Sequence, residues 1–344
     1  MSKGVLVIGG GISGIKAALD LAQLGIETIL VERTSELGGT CAKLGVTYPN
    51  NVDATISLDQ YLQTLKSLQN AKIYTNAEVK SVAKANDGFE VIVEPNGISF
   101  NIQAIIVAIG FAPFDAAKIP NYGYGKHRNV LNSLELAQML RNGQGLIRPS
   151  DNTTPKSVTF IACVGSRDKK TNEYCSSFCC TYTVHFAKMV KEIDEKIDVT
   201  IMYMDMRTFS NYESLYRDAR AAGVKFLRGK PSMVFEDSNT AKLTIQVENT
   251  VTREFLQHKT DMIILSIGAE PAEGNEELGK ILGILKDEKT GFFAVSNKDD
   301  VSAIRQERIF IAGNASGPKD VQYSLAQGSA AAMKAFIAIG GLSA

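Results

Sequence analysis

No excess of either charge sign marks this chain of 344 residues: Lys+Arg and Asp+Glu each total 37, and no like-charge block stands out. That balance excludes the electrostatic footprint of a nucleic-acid binder and a basic membrane-binding patch. No uninterrupted apolar stretch approaches the roughly 20 residues needed to span a bilayer. No low-complexity tract occurs. The opening Met1-Ser2-Lys3 runs directly into an apolar strand and glycines, so it reads as a fold element rather than a signal peptide, and a cytoplasmic protein is expected. Cysteine is scarce as well. The chain has five, an odd number, which argues against a disulfide framework in a cytoplasmic protein and for metal or redox chemistry. What remains, 44% hydrophobic and 22% charged residues, is the balance of a globular protein long enough for two domains.

Apolar periodicity supplies the outline. Residues 4–9 form an apolar run, a helical pattern follows over 12–24, and a second run over 27–32 ends in Glu32. Turn residues gather at Tyr48-Pro49-Asn50-Asn51. Residues 57–69 look helical, and short alternating strands are predicted near 71–76, 78–84, 88–94 and 98–103. Ile105 to Gly110 reads as a buried strand stopped by glycine. Residues 120–155 connect, with an amphipathic helix near 133–141. A second unit follows: strand 157–162, a cysteine-bearing loop, helix about 180–193 and strand 198–204. Further short strands lead to Ile263–Gly268, which echoes 105–110 and implies two similar domains. The end supplies strand 308–312, a Gly313-Asn314 turn and a helix from about 320 to 338. The expected fold is α/β with two Rossmann-like dinucleotide-binding domains: 1–118 plus 286–344 for the first, 119–156 as connection, and 157–285 for the second.

Gly9-Gly10-Gly11-Ile12-Ser13-Gly14 fits G-x-G-x-x-G between a strand and a helix. Gly9 permits the tight turn, Gly11 lets a pyrophosphate approach the backbone, and Gly14 allows close helix–strand packing. Glu32 ends the next strand, where a carboxylate binds the adenosine ribose. The spacing alone does not choose between FAD and NAD. Glu32-Arg33 runs on to Leu37-Gly38-Gly39-Thr40, and the distant Ile309 to Asn314 segment follows. These resemble the second glycine pair and the C-terminal flavin motif of the glutathione-reductase and thioredoxin-reductase type of flavoprotein, which implies FAD. In that group an acidic residue meets the ribityl chain; Asn314 stands there in this sequence. The expected cofactor set is Gly9, Gly11, Ile12, Ser13, Gly14, Glu32, Arg33, Gly38, Gly39, Thr40, Val79, Ala108, Gly110, Gly313, Asn314, Val321 and Gln322.

Two features of that group are missing. Gly38-Gly39-Thr40-Cys41 is similar to the start of the active-site helix of lipoamide dehydrogenase, but the partner position of its redox disulfide is Val46. Cys41 therefore reads as a small buried residue. After strand 157–162, where a second glycine loop for NAD(P)H belongs, the chain has Cys163-Val164-Gly165-Ser166-Arg167-Asp168, with one glycine. Cys163, Cys175, Cys179 and Cys180 instead have the spacing C-x11-C-x3-C-C. Four thiolates suit an iron–sulfur cluster; zinc, a thiol–disulfide pair or buried spectators are the alternatives, and one member of the adjacent pair could lie outside the ligand set.

The run 163–168, Tyr174-Cys175, Cys179-Cys180, Tyr203-Met204-Asp205-Met206-Arg207, Gly223-Val224-Lys225-Phe226 and Gly317-Pro318-Lys319-Asp320 resemble the A-type polypeptide of heterodisulfide reductase, over about residues 5–335. The resemblance implies a thioredoxin-reductase-like core, FAD, and one [4Fe-4S] cluster on those four cysteines. The extra N-terminal domain and cysteine-rich ferredoxin-like segments of the methanogen-type proteins are not seen. In length and layout the sequence is similar to the short A-like subunits of sulfur-oxidation complexes, which implies B- and C-like subunits plus a lipoate-binding protein as partners, and a homodimer. His185 stands where the methanogen-type proteins place a lysine, and is expected to tune the flavin. An electron-transfer subunit is the leading function. The competing ones are a stand-alone NAD(P)H-dependent disulfide oxidoreductase and a mainly structural subunit.

Overall fold

The computed structural model describes residues 4–47, 52–143, 145–296 and 306–341. The turn expected at Tyr48–Asn51 lies outside the described residues. The chain forms two compact units. The first comprises Met1–Ala42, Ala54–Ala112 and Glu270–Ala344; the second comprises Lys43–Asp53 and Pro113–Ala269.

In the first unit a parallel sheet runs in the order Ile309–Ile311, Ala104–Val107, Gly4–Ile8, Glu27–Val31, Ala71–Tyr74. Strands Gly4–Ile8 and Ala104–Val107 carry no polar side chain because both faces are covered. Val5, Val7, Leu30 and Ile106 point to one side, where they pack with Ile15 and Leu21 of helix Ile12–Gln23, Leu58 and Leu65 of helix Ala54–Ser67, and Ala331 and Ala335 of helix Val321–Ala338. Leu6, Ile8, Ile29, Ile105 and Val107 point to the other side. There they meet Val79, Val91 and Val93 of an antiparallel three-stranded sheet (Glu78–Ala85, Gly88–Glu94, Ile98–Ile102) and Leu278 and Leu282 of helix Asn275–Leu282.

The second unit repeats this plan. Its parallel sheet has the order Val130–Asn132, Met262–Ile267, Ser157–Val164, Asp198–Tyr203, Lys225–Arg228. Val158, Phe160, Val199, Ile201 and Ile264 face helices Ser133–Arg141, Cys179–Ile193 and Glu213–Ala221. Ile161, Met202, Ile263 and Leu265 face an antiparallel sheet carrying Val234, Leu243, Ile245 and Val247. Strands Ala104–Val107 and Met262–Ile267 hold the same place, each beside the first strand of its unit's sheet, which accounts for their sequence echo.

The units divide the chain at other places than the sequence suggested. Residues 119–156 are not a free-standing connection. Val130–Asn132 pairs with Ile263–Leu265, and Asn132 opens the next helix with a capping box, accepting from the Leu134 and Glu135 N–H groups while Glu135 reaches back to the Asn132 N–H. Three strand residues between glycine- and asparagine-rich flanks carry too little periodicity to be recognised. Residues 270–285 fall in the first unit, because Leu278 and Leu282 bury themselves in its core. Helices 213–221 and 275–282 were not anticipated either. Both are short, and charged residues fill much of their length.

Candidate functional site

The three motif glycines of the first loop have different surroundings. Gly9 has φ +106, and a Cβ there would lie 2.4 Å from the Ala108 carbonyl oxygen, so only glycine makes this turn. A Cβ at Gly14 would lie 1.9 Å from the Gly9 oxygen; the helix cannot approach the strand with any side chain there. At Gly11 a Cβ would meet nothing within 4 Å. That glycine is needed for nothing inside the protein. It leaves a gap at the N-terminus of helix Ile12–Gln23, where free N–H groups and the helix dipole favour an anion. Ile12 is half-buried and Ser13 buried in the first helical turn.

Gly38 lies against this loop. Its N–H donates to the Gly10 oxygen at 2.7 Å, and a Cβ at Gly39 (φ +55) would come within 3.3 Å of the Gly11 Cα. The two glycine pairs thus form one backbone-lined wall, with Thr40 half-buried after them. Glu32 is tied down beside it, accepting from the Gly10 N–H at 2.7 Å and the Thr34 N–H at 2.8 Å. Exposed Arg33 donates to the Glu273 carbonyl at 3.0 Å. Ala108 is held in the rim by its N–H to the Ile8 oxygen, 2.8 Å, and Gly110 (φ +73) again leaves open space. Val79 is different: it is buried in the antiparallel sheet's core.

The C-terminal turn joins the same rim. Gly313 has φ +64, and a Cβ there would sit 2.1 Å from Ser13 Oγ. The Asn314 amide is spent within the turn: Oδ1 accepts from the Lys319 N–H at 2.7 Å, and Nδ2 donates to the Lys319 oxygen at 3.0 Å and to Ser324 Oγ at 3.2 Å. Asp320 caps the following helix through the Tyr323 N–H. Val321, half-buried, and Gln322, exposed, form its first turn. Lys319 itself was not foreseen as a site residue. Cys41 is buried, and burial pushes its thiol up to about 11, so it is no ready nucleophile.

In the second unit the strand Ser157–Val164 ends in a loop that lacks the open space found at Gly11. A Cβ at Gly165 would lie 2.1 Å from the Phe114 ring; an aromatic side chain fills the space. The loop bends through left-handed conformations at Cys163 (φ +59), Arg167 (φ +58) and Ser177 (φ +59). Strain of this kind persists only where surrounding structure imposes it, and it gathers at functional sites. Buried Ser166 and Ser176 hydrogen-bond each other, and Ser176 accepts from the Ala269 N–H at 3.0 Å. Asn172 donates to the Gly165 oxygen at 2.9 Å, and Tyr174 to the Ala269 oxygen at 2.9 Å.

This scaffold brings Cys163, Cys179 and Cys180 together, all buried. Cys179 hydrogen-bonds to both neighbours. Those bonds hold Cys163 below the usual thiol range and lower Cys180 to about 7, with the Arg207 N–H also on Cys180. Cys179 is raised well above its ordinary value. Cys179 and Cys180 also open helix Cys179–Ile193, whose N-terminus favours thiolate. Arg167 hydrogen-bonds to Cys163 and forms an ion pair with Asp205, to which Arg207 also pairs at 3.4 Å. Cys175, half-buried, accepts from the Ser177 N–H at 3.3 Å and feels the charge of Arg207. Among the described residues no group of three or more His, Cys, Asp or Glu side chains closes around a single metal ion. In the sequence Arg167, Asp205 and Arg207 stand only as parts of motifs; their common neighbourhood arises from the fold. His185 is buried on the same helix beside Phe186, ring centroids 6.0 Å apart.

The family described as pyridine nucleotide-disulphide oxidoreductase matches residues 3–165. Thioredoxin reductase from Lactococcus lactis superposes with a TM-score of 0.66 at 20% identity, covering 99% of this chain and 100% of that one. The T. acidophilum enzyme gives 0.66 at 15% identity, with 97% of each chain covered. These likenesses establish the thioredoxin-reductase-like fold. The A-type iron-sulfur polypeptide of CoB–CoM heterodisulfide reductase from Methanocaldococcus jannaschii is 32% identical over 96% of this chain. The second A-type iron-sulfur polypeptide of the same reductase from Methanopyrus kandleri is 31% identical over 97%. The chain spans 64% of the length of each of these two relatives. With this fold, the chain is similar along almost its whole length to the A-type polypeptides of heterodisulfide reductase.

Proposed function

We propose that the chain binds FAD in its first unit and a [4Fe-4S] cluster in its second, and transfers electrons as one component of a heterodisulfide-reductase-like complex. The observation that carries this reading is the contrast between the two glycine loops. The space at Gly11 is open and bounded by N–H groups, Glu32 and a second glycine pair, as a dinucleotide requires. The corresponding space at Gly165 is filled by Phe114, and buried thiols take the phosphate's place.

The residues fit both groups. Gly9, Gly11 and Gly14 would border the pyrophosphate. The Glu32 carboxylate would exchange its Gly10 and Thr34 bonds for the ribose hydroxyls. Cys163, Cys175, Cys179 and Cys180 would hold the cluster. Cys163, Cys179 and Cys180, now joined by hydrogen bonds, would part to take separate corners of the cube, and Arg167 and Arg207 would offset the charge of its thiolates. When bound, the flavin exchanges electron pairs and the cluster single electrons. The chain's own contribution is electrostatic: buried thiols excluded from water, two arginines beside them, and a helix N-terminus facing each cofactor position. His185 remains the proposed tuning residue; equal flavin midpoints in wild type and His185→Ala would remove that role.

B- and C-like subunits, a lipoate-binding protein, self-association, a cytoplasmic location and a role in sulfur oxidation belong to this proposal and rest on family resemblance. No helix among the described residues is long and apolar enough to cross a membrane. The test is reduction of the purified chain under anaerobic conditions. A one-electron reductant should reduce flavin and cluster together, whereas NADH should leave the flavin oxidised. Rapid bleaching by stoichiometric NADH would favour a pyridine-nucleotide-dependent disulfide oxidoreductase instead.

A further inference from the structure

We propose that Lys319 is a charge-balancing residue for the flavin, an ammonium fixed at the cofactor rim to offset the negative charge that the flavin gains on reduction. The inference rests on the FAD reading of the first unit and adds to it a residue that motif comparison did not select.

Lys319 is held at three atoms by its own turn. Its N–H and carbonyl are both taken by the Asn314 amide, at 2.7 and 3.0 Å. Its Nζ donates to the Gly317 carbonyl at 2.8 Å and to Ser316 Oγ at 3.1 Å. Asn314 occupies the position expected to meet the ribityl chain, yet it spends its amide fixing Lys319. An ammonium has three N–H donors, and the turn engages two. Burial alone shifts Lys319, with no carboxylate among the described residues acting on it, and the neighbouring Asp320 caps the helix through Tyr323. A cation fixed in this way without a counter-charge is costly. Burial lowers its pKa from 10.5 to about 8. The turn is set against the start of the glycine-loop helix, because Gly313 leaves no room for a Cβ before Ser13 Oγ. Lys319 therefore lies on the edge of the sheet where parallel strands end and ligands bind, and the N-terminus of helix Val321–Ala338 adds its partial positive charge.

A flavin that takes up two electrons and one proton gains one negative charge. A nearby ammonium stabilises that product over the neutral oxidised form without bonding to it. The electrons come from the cluster or partner in the complex, and from dithionite or an electrode in the assay.

The experiment uses the full chain as wild type, Lys319→Met and Lys319→Arg. FAD per chain is counted first, and the flavin midpoint is then measured at pH 7. Lys319→Met should weaken reduction about tenfold, which moves a two-electron midpoint about 30 mV negative, and Lys319→Arg should stay at the wild-type value. An unchanged midpoint in Lys319→Met overturns the inference, as does an equal shift in both variants, which would mark a packing effect. If Lys319→Met purifies without flavin, the ratio of Kd values for oxidised and dithionite-reduced FAD, measured on the flavin-free chains, reads the same free energy by linkage. A ratio equal to the wild-type ratio overturns the inference just as firmly. Wild type that binds no FAD at all would instead defeat the reading on which this one rests.

Discussion

Replacing Gly11 with alanine separates cofactor binding from folding. Gly11 has φ −75 and ψ 179, a conformation that alanine adopts without strain. Its added methyl group would touch no protein atom within 4 Å. As the residue capping helix Ile12–Gln23, alanine in place of glycine costs a few tenths to about 1 kcal/mol. The reduced freedom of the unfolded chain returns about 0.4–1 kcal/mol, so the flavin-free protein should keep its stability within about 0.5 kcal/mol. FAD binding is a different matter, because on the proposed reading the methyl group would occupy the space through which the pyrophosphate reaches the backbone. Each hydrogen bond lost to a charged group costs about 1.5–3 kcal/mol, so FAD binding should weaken roughly 100-fold. Calorimetric titration of the flavin-free chain with FAD gives the Kd, and thermal unfolding of the same preparation gives the stability. Gly14→Ala is the control of opposite sign. Its Cβ would lie 1.9 Å from a backbone oxygen, so it should unfold at markedly lower temperature with or without FAD. A Gly11→Ala chain that binds FAD as wild type does would refute the assignment of the gap to a pyrophosphate.

Cys179→Ala should abolish iron binding while leaving FAD content unchanged, because the proposed flavin contacts are in the first unit and the thiols in the second; iron retained at the wild-type level would remove Cys179 from the proposed ligand set. Lys319 predicts a pH dependence of stability in the flavin-free chain. Its folded pKa of about 8 lies below the ordinary 10.5, so the unfolded chain binds more protons between these values and stability rises with pH across that window. The full change is about 3 kcal/mol; urea unfolding from pH 7.5 to 10.5 should show it in wild type and not in Lys319→Met, and parallel curves for the two would contradict it.

Much of the first site was legible in the sequence because each of its parts is local. A strand, three spaced glycines, a helix and Glu32 follow one another within 32 positions, and the fold needs no long-range information to place them. The later glycine pair and the Gly313 turn were recognised by family likeness; their contacts with Gly10, Gly11 and Ser13 come from the folded sheet. What the sequence hid were side chains whose function depends on neighbours far along the chain. Phe114 precedes Gly165 by 51 positions and nothing in its surroundings marks it as a plug. Asp205 and Arg207 acquire meaning only when strand Asp198–Tyr203 ends beside the cysteine loop. Asn314 read as a ribityl contact by position, and its commitment to Lys319 emerges only from the turn's geometry. The short helices at 213–221 and 275–282 were lost for a simpler reason, since two turns of a charged helix give little periodic signal.

The central claim is that one chain carries both a flavin and an iron–sulfur cluster, and direct cofactor analysis of anaerobically purified protein tests it most simply. The account predicts about one FAD, about four irons and about four acid-labile sulfides per chain. Zinc in place of iron, or thiols free of any metal in protein that is otherwise replete with FAD, would contradict it.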